Sequence, residues 1–201
     1  MSRRAVFLDR DGVINRAIVR DGRPHPPTNL SELEVLPGVP DALSRLRAEG
    51  FLLIVVTNQP DVARGTLQRS VVGDMNARLL ESLPLDEVRV CYHDESDGCP
   101  CRKPRPGMIL EAVKDHGIDV RQSYLVGDRW RDLEAGERAG CRTVFVDHGY
   151  RERQPDRCDL RVRSLSEAAE AILSEPPADD RGDEGAGRDG DERTNRSTGS
   201  G

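Results

Sequence analysis

Short apolar runs alternate with amphipathic stretches over residues 5–147, and this rhythm limits the possible folds more than any other feature of the sequence. The apolar runs predict strands at 5–8, 51–58, 87–93, 123–128 and 142–147. Apolar residues at helical spacing predict helices within 37–50 and at 68–83, 107–116 and 131–139. Strands separated by helices are joined by right-handed crossovers, which place helices on both faces of a parallel sheet. The sequence therefore predicts an α/β fold with a doubly wound parallel sheet.

Polar side chains stand where three of the predicted strands end. Asp9 and Asp11 follow the first strand. Thr57 and Asn58 close the second strand, and Asp128 follows the fourth. Ligands of doubly wound sheets bind beyond the carboxyl ends of the strands. We therefore expect these side chains to meet at one edge of the sheet.

The residue types at this edge indicate metal and phosphate chemistry. In extended chain, Asp9 and Asp11 point the same way, and crowding their charges costs free energy unless a cation or a shared proton relieves it. Asp128 would complete a set of hard oxygen ligands suited to Mg²⁺, while Thr57 and Lys103 suit phosphate oxygens. The alternatives are a polar turn, a helix N-cap for Asp128, a strand-end hydroxyl and a solvated lysine.

A second group of ligand-type residues lies in the stretch CYHDESDGCPC. Cys91, His93, Cys99 and Cys101 provide three thiolates and an imidazole, which is a complete tetrahedral set for Zn²⁺ with no open position. Such closed zinc sites are structural and can order a loop that has little core of its own. Scattered thiols in a loop are the alternative. Arg102 follows the last ligand directly, so we expect the metal to position it near the active site.

Composition bounds the organisation and the partners of the chain. Its 201 residues, 36% of them hydrophobic, suffice for one domain, which we assign to 1–174. Residues 175–201 contain no large apolar side chain and are predicted to be a disordered acidic, glycine-rich tail. A net charge of −6 and only 3% aromatic residues argue against nucleic-acid binding.

The sequence also bounds location and assembly. No apolar stretch is long enough for a membrane span, and the stretch MSRRAVFLDRDG lacks the apolar core expected of a signal peptide. Five cysteines, three of them close together, fit a metal site in a reducing compartment. We therefore expect a cytoplasmic protein with no membrane partner, and we expect a monomer.

Taken together, DRDGVIN, VVTNQ, RKPRPGM and GDRWRD resemble the four ordered motifs of the haloacid dehalogenase superfamily, over residues 5–148. The resemblance implies a Rossmann-like fold and a Mg²⁺-dependent phosphomonoester hydrolase. It makes Asp9 the nucleophile and Asp11 the acid and base. Thr57 and Lys103 would hold the phosphoryl oxygens, and Mg²⁺ would be bound by Asp9, the backbone carbonyl of Asp11, and Asp128.

The zinc loop resembles the branch of this superfamily that contains heptose bisphosphate phosphatases and histidinol-phosphatases. That resemblance implies that Arg102 contacts the substrate. We predict Arg64 as a further cation at the site and Asn58 as a further substrate-binding residue. Several cations suit a second anionic group, so we expect the small phosphorylated sugar D-glycero-D-manno-heptose 1,7-bisphosphate to lose its 7-phosphate. The chain departs from the family at Pro60-Asp61-Val62 and in the loop GRPHPP, and it has no room for a large cap domain.

Three other functions fit the sequence as well. The first two are a histidinol-phosphatase and another small sugar-phosphate phosphatase, which share the same motifs but differ in the leaving group. The third is a phosphoacceptor signalling domain, because receiver domains also gather aspartates, a threonine and a lysine at parallel strand ends. A zinc-organised binding module is weaker, since the acidic balance argues against DNA.

Overall fold

A six-stranded parallel sheet forms the centre of the structure, a computed structural model that describes residues 2–175. Its strands are β1 Arg4–Leu8, β4 Phe51–Asn58, β5 Glu87–Cys91, β6 Tyr124–Gly127, β7 Arg142–Val146 and β8 Leu160–Val162. They lie in the order β5-β4-β1-β6-β7-β8. The order reverses between β1 and β6, so the chain leaves these two neighbours in opposite directions and opens a crevice at their carboxyl ends.

Helices cover both faces of the sheet. They are α1 Val39–Ala48, α2 Arg69–Ser82, α3 Gly107–His116, α4 Trp130–Ala139 and α5 Leu165–Ser174. Alternate residues of β1 point to opposite faces, with Val6 and Leu8 packed against α1 and α5, and Ala5 and Phe7 packed against α3 and α4. The predicted doubly wound α/β fold is confirmed.

A small hairpin between β1 and α1 was not predicted. It pairs β2 Ile18–Arg20 with β3 Arg23–His25 in antiparallel fashion. Asp21 and Gly22 form its turn with φ of 52° and 77°, the left-handed values that a two-residue hairpin turn requires. The Asp-Gly pair was the available signal, but three-residue strands are too short to show an alternating pattern.

The remaining boundaries differ slightly from the predictions. β5 ends at Cys91, so His93 lies in the loop that follows. β8 and α5 were not predicted as elements; they complete the edge of the sheet and one helical layer. Apart from Glu175, the predicted disordered tail at 175–201 lies outside the described residues. No helix within residues 2–175 combines the length and the apolar character needed to cross a bilayer.

Candidate active site

The crevice at the reversal of strand order holds a cleft of about 240 Å³. Its walls come from the loop after β1, the hairpin, the end of β4, the loop after β5 and the start of α4. Seven predicted site residues line this cleft: Asp9, Asp11, Thr57, Asn58, Arg64, Arg102 and Lys103. The fold therefore brings residues from each of the four motifs onto the surface of one cleft, although Asp128 of the fourth motif does not line it.

Lys103 is the centre of a buried ionic network at the floor of this cleft. Its Nζ donates to Asp9 Oδ1 and to the carbonyl oxygen of Val56, each at 2.7 Å, and it lies 2.6 Å from Asp132 Oδ1. Burial alone would lower the pKa of Lys103, but the carboxylates of Asp132 and Asp9 outweigh that effect and raise it. Lys103 is therefore a permanent cation beside the predicted nucleophile.

The carboxylates here are crowded beyond what one lysine neutralises. Oxygens of Asp9, Asp128 and Asp132 lie within 4.8 Å of one another. Burial raises the pKa of Asp9 to about 6, with Lys103 opposing the shift. Burial, followed by the charges of Asp9 and Asp132, raises the pKa of Asp128 well above its usual range. Both Asp128 oxygens are buried without a hydrogen-bond partner in residues 2–175, so this carboxylate can accept a cation.

Asp11 is held by an array of donors. Arg10 donates from Nε and an Nη atom to both oxygens at 3.1 and 3.0 Å, Gln59 Nε2 donates at 2.8 Å and Asn15 Nδ2 at 2.9 Å. Arg10 is fully buried and also donates to Asn76 of α2 at 3.0 Å. The position of the Asp11 carboxylate is thus fixed by the fold before any substrate arrives.

The end of β4 is tied to the loop that carries Lys103. The Asn58 side chain donates from Nδ2 to the Lys103 carbonyl oxygen at 3.0 Å and accepts from the Lys103 backbone N–H at 3.1 Å. Thr57 is buried, and its hydroxyl accepts from Gln59 Nε2 at 2.9 Å. Asn58 therefore fixes the backbone of Lys103, a role that the sequence did not predict.

The four predicted zinc ligands lie close together and all come from one short segment, residues 91–101. Cys101 Sγ lies 3.3 Å from Cys91 Sγ, 3.4 Å from Cys99 Sγ and 3.4 Å from His93 Nδ1. Cys91 Sγ lies 3.7 Å from both Cys99 Sγ and His93 Nδ1. Zinc–sulfur bonds of about 2.3 Å in a tetrahedron put sulfurs about 3.8 Å apart. The four ligand atoms therefore fit one zinc ion.

Comparison with known proteins agrees with this geometry. The HAD-hydrolase-like family model matches residues 100–168. The D-glycero-β-D-manno-heptose-1,7-bisphosphate 7-phosphatase of Haemophilus ducreyi is 39% identical over 158 residues, covering 73% of this chain and 84% of that protein. The chain belongs to the haloacid dehalogenase-like phosphatases. The enzyme of the same name in Escherichia coli K12 is 34% identical, covering 84% of this chain and 93% of its own.

A solved structure of this phosphatase family has the same architecture. The D,D-heptose 1,7-bisphosphate phosphatase of B. bronchiseptica, complexed with magnesium and phosphate, aligns with a TM-score of 0.72 and 29% identity. The alignment covers 85% of this chain and 98% of that one. Haloacid dehalogenase-like phosphatases are hydrolases, so the predicted enzyme class is confirmed and the phosphoacceptor signalling domain is not supported.

The cations of this phosphatase cleft fall into two groups. Arg64 donates to both oxygens of Asp94, at 3.0 and 2.6 Å, and Arg129 likewise to Glu152, at 2.9 and 2.6 Å. Arg102 donates to the carbonyl oxygen of His93 at 3.3 Å and forms no ion pair within residues 2–175. Arg64 therefore lines the cleft with its charge already paired, unlike Arg102.

Sequence reasoning missed several residues of the phosphatase site. Arg10 lies inside the first motif, and Gln59 is the last residue of the second, yet neither was assigned a role. Asp132 was noticed one helical turn after Asp128, but its contact with Lys103 depends on tertiary packing. Arg23 of the hairpin also lines the cleft. The available signals were that Arg10, Gln59 and Asp132 lie inside the quoted motifs and that Arg23 lies in the loop GRPHPP.

Proposed function

We propose that this chain is a Mg²⁺-dependent phosphatase that removes the 7-phosphate of D-glycero-D-manno-heptose 1,7-bisphosphate. The observation that carries the proposal is the buried contact of Lys103 with Asp9 at 2.7 Å and with Asp132 at 2.6 Å. This network lies at the reversal of strand order, in a chain 39% identical to a phosphatase of that name.

Asp9, Asp128 and the backbone carbonyl of Asp11 are the proposed ligands of Mg²⁺. The fit rests on the two oxygens of Asp128, which are buried without a hydrogen-bond partner within residues 2–175, and on the crowding of Asp9, Asp128 and Asp132, whose oxygens lie within 4.8 Å of one another. Few carboxylates suffice for Mg²⁺, which keeps water and phosphate as further ligands. When bound, the ion would offset the repulsion between an anionic nucleophile and an anionic phosphate.

The proposed reaction has two steps. An oxygen of Asp9 attacks phosphorus in line, the phosphorus–ester bond breaks, and the leaving alkoxide takes a proton from Asp11. Water then attacks the aspartyl-phosphate, gives its proton to Asp11 and releases inorganic phosphate, which regenerates both side chains. Lys103 and Thr57 hold the phosphoryl oxygens, since both reach the cleft beside Asp9.

Zinc is the second proposed cofactor, held by Cys91, His93, Cys99 and Cys101. Support comes from ligand-atom separations of 3.3–3.7 Å within a segment that has little core of its own. The ion would have a structural role, because all four positions are taken by the protein. Its effect on function would pass through Arg102, which is next to the last ligand.

The choice of a sugar bisphosphate rests on unpaired positive charge in the cleft. Arg102 and Arg23 line it, and neither forms an ion pair within residues 2–175. A phosphatase needs one cation at the transferred phosphoryl group, here Lys103, and further free cations suit a second phosphate. The ammonium group of histidinol phosphate would be repelled. Arg64, whose charge is paired, would contribute less to substrate binding than Arg102.

The test of this proposal is a comparison of kcat/KM at one Mg²⁺ concentration for three substrates: the β-heptose 1,7-bisphosphate, fructose 1,6-bisphosphate and histidinol phosphate. We expect the heptose bisphosphate to be preferred at least about tenfold, the effect of one additional well-placed charged contact. A preference for histidinol phosphate would overturn the substrate and leave the aspartate chemistry standing. The monomeric state and the cytoplasmic location stay predictions.

A further inference from the structure

The segment that follows β7, residues 148–152, touches the elements of the active site from outside the sheet. We call it the brace segment. His148 Nε2 donates to the carbonyl oxygen of Gly12 at 2.7 Å, immediately after Asp11. The Arg151 backbone N–H donates to Gly22 of the hairpin turn at 2.7 Å. The brace segment belongs to the connection between β7 and β8, and none of these contacts is a strand-pairing bond of the sheet.

Tyr150 of the brace segment lies beside Asp128. A Cβ atom placed on Gly12 would be 1.9 Å from Asp128 Oδ2 and 3.2 Å from the Tyr150 hydroxyl oxygen, so the three groups meet at one point. The Tyr150 hydroxyl therefore borders the Asp128 carboxylate, whose two oxygens accept no hydrogen bond within residues 2–175.

Glycine at position 12 makes this meeting possible. Its φ of 95° belongs to the left-handed region, and any larger residue would collide with Asp128. The backbone after Asp11 can therefore approach Asp128 closely, and His148 holds its carbonyl oxygen there. The rings of His148 and Tyr150 pack against each other with centroids 5.3 Å apart, so the two contacts form one unit.

We propose that His148 and Tyr150 are positioning residues for the divalent cation: His148 fixes the loop that carries Asp9 and Asp11, and Tyr150 orients the Asp128 carboxylate. The inference rests on the proposed Mg²⁺ site. Partners that orient metal ligands typically change metal affinity 10–100-fold when removed. A role limited to packing would change thermal stability and leave cation affinity unaltered.

The test is titration calorimetry with Mg²⁺ on the full chain without substrate, supported by thermal melting. Tyr150→Phe keeps the ring and removes the hydroxyl, and we expect a Kd about tenfold weaker. The matched control is Tyr124→Phe, which removes a hydroxyl bonded to Glu175 at 2.6 Å at the other end of β6. We expect its Mg²⁺ affinity to equal that of the wild type.

Substitutions of His148 provide a second, independent test. His148→Ala should weaken Mg²⁺ binding by a similar factor, while His148→Gln, whose amide nitrogen can replace Nε2 as a donor, should keep most of the affinity. Activity of Tyr150→Phe and His148→Ala should recover as Mg²⁺ is raised. Unchanged Mg²⁺ affinity in both variants would overturn the inference alone. A wild-type protein that binds no Mg²⁺ would overturn the proposed function as well.

Discussion

The acidic cluster and the zinc loop are both candidate metal sites, but they are built in opposite ways. Asp9, Asp128 and Asp132 come from different strand ends and the first turn of α4, and all three are buried. The zinc ligands come from one continuous segment, residues 91–101, and three of the four are partly or fully exposed. The first site exists only when the whole sheet folds, whereas the second draws all its ligands from one short segment.

The acidic cluster is the proposed place of the reaction, whereas the zinc loop has a proposed structural role. Burial, together with neighbouring carboxylates, raises the pKa values of Asp9 and Asp128, so ionising these groups carries a cost in stability that the fold tolerates. Strong pKa perturbation by burial and neighbouring charge is typical of functional sites. The zinc loop has no open ligand position and no contact with the proposed nucleophile. We expect substitutions in the acidic cluster to stop the reaction, and substitutions in the zinc loop to lower the stability of the protein.

The largest effect is expected from Asp9→Asn. Removing the nucleophile should lower kcat for any phosphomonoester by at least about 10⁴-fold, since nucleophile loss is among the most damaging changes in covalent catalysis. Thermal stability should be retained, because one crowded charge is removed. The control is Asp41→Asn, an exposed charge on α1 that should leave kcat unchanged. Near-normal turnover in Asp9→Asn would show that Asp9 is not the nucleophile.

The order of the elements and the positions of the motifs were predictable from sequence for a physical reason. Buried parallel strands are apolar throughout, and their polar endings mark the ligand edge, so Asp9, Thr57 and Asp128 stood out. The zinc ligands were recognisable because all four lie within eleven residues. The pattern of residues along the chain was therefore enough to locate both candidate sites.

The rest depended on tertiary contacts that leave no periodic signal. The bond of Lys103 to Asp132, the hold of Asn58 on the Lys103 backbone, and the pairing of Arg64 with Asp94 each join residues far apart in sequence. The ring of Trp130 packs against the guanidinium groups of Arg131 and Arg153 and does not line the cleft, although Trp130 lies inside the fourth motif. These contacts depend on the directions in which the side chains point, which the pattern of residues along the chain does not show.

The next effect concerns the zinc loop. The purified protein should contain one zinc per chain, and Cys99→Ser should lose it together with about 2 kcal/mol of stability, a fall in Tm of about 4–8 °C. Turnover of a small aryl phosphate should stay within about tenfold, because the zinc lies outside the acid and base set. Cys158→Ser is the control, a free thiol outside the cluster. Metal analysis without zinc in the wild type would contradict the assignment.

A smaller effect should distinguish the two arginines that were both predicted to bind substrate. Arg102→Ala should lower kcat/KM for the heptose bisphosphate about tenfold more than for an aryl phosphate, because it removes a free charge for the second phosphate. Arg64→Ala should change this ratio less than about threefold, since its guanidinium is held by Asp94. Equal effects would show that pairing in the free protein does not decide substrate binding.

The smallest effect is a pH dependence of stabilisation by Mg²⁺. Without metal, the Asp9 pKa is raised from 3.8 to about 6, so ionising this group costs stability as pH rises through that window. The metal-bound state needs the ionised carboxylate and reverses that cost. Saturating Mg²⁺ should therefore raise Tm more at pH 7 than at pH 5. An equal rise at both pH values would mean that Asp9 is not a ligand.

The most direct test of the aspartate chemistry is to trap the phosphoenzyme. Asp11→Asn should still let Asp9 attack an activated aryl phosphate, whose leaving group needs little protonation, but should slow attack by water. Acid quenching followed by peptide mass mapping should then find a phosphoryl group on Asp9, in this variant and not in the Asp9→Asn/Asp11→Asn double variant. A phosphoryl group on another residue, or release of the aryl alcohol with no phosphoenzyme, would contradict the aspartyl-phosphate mechanism.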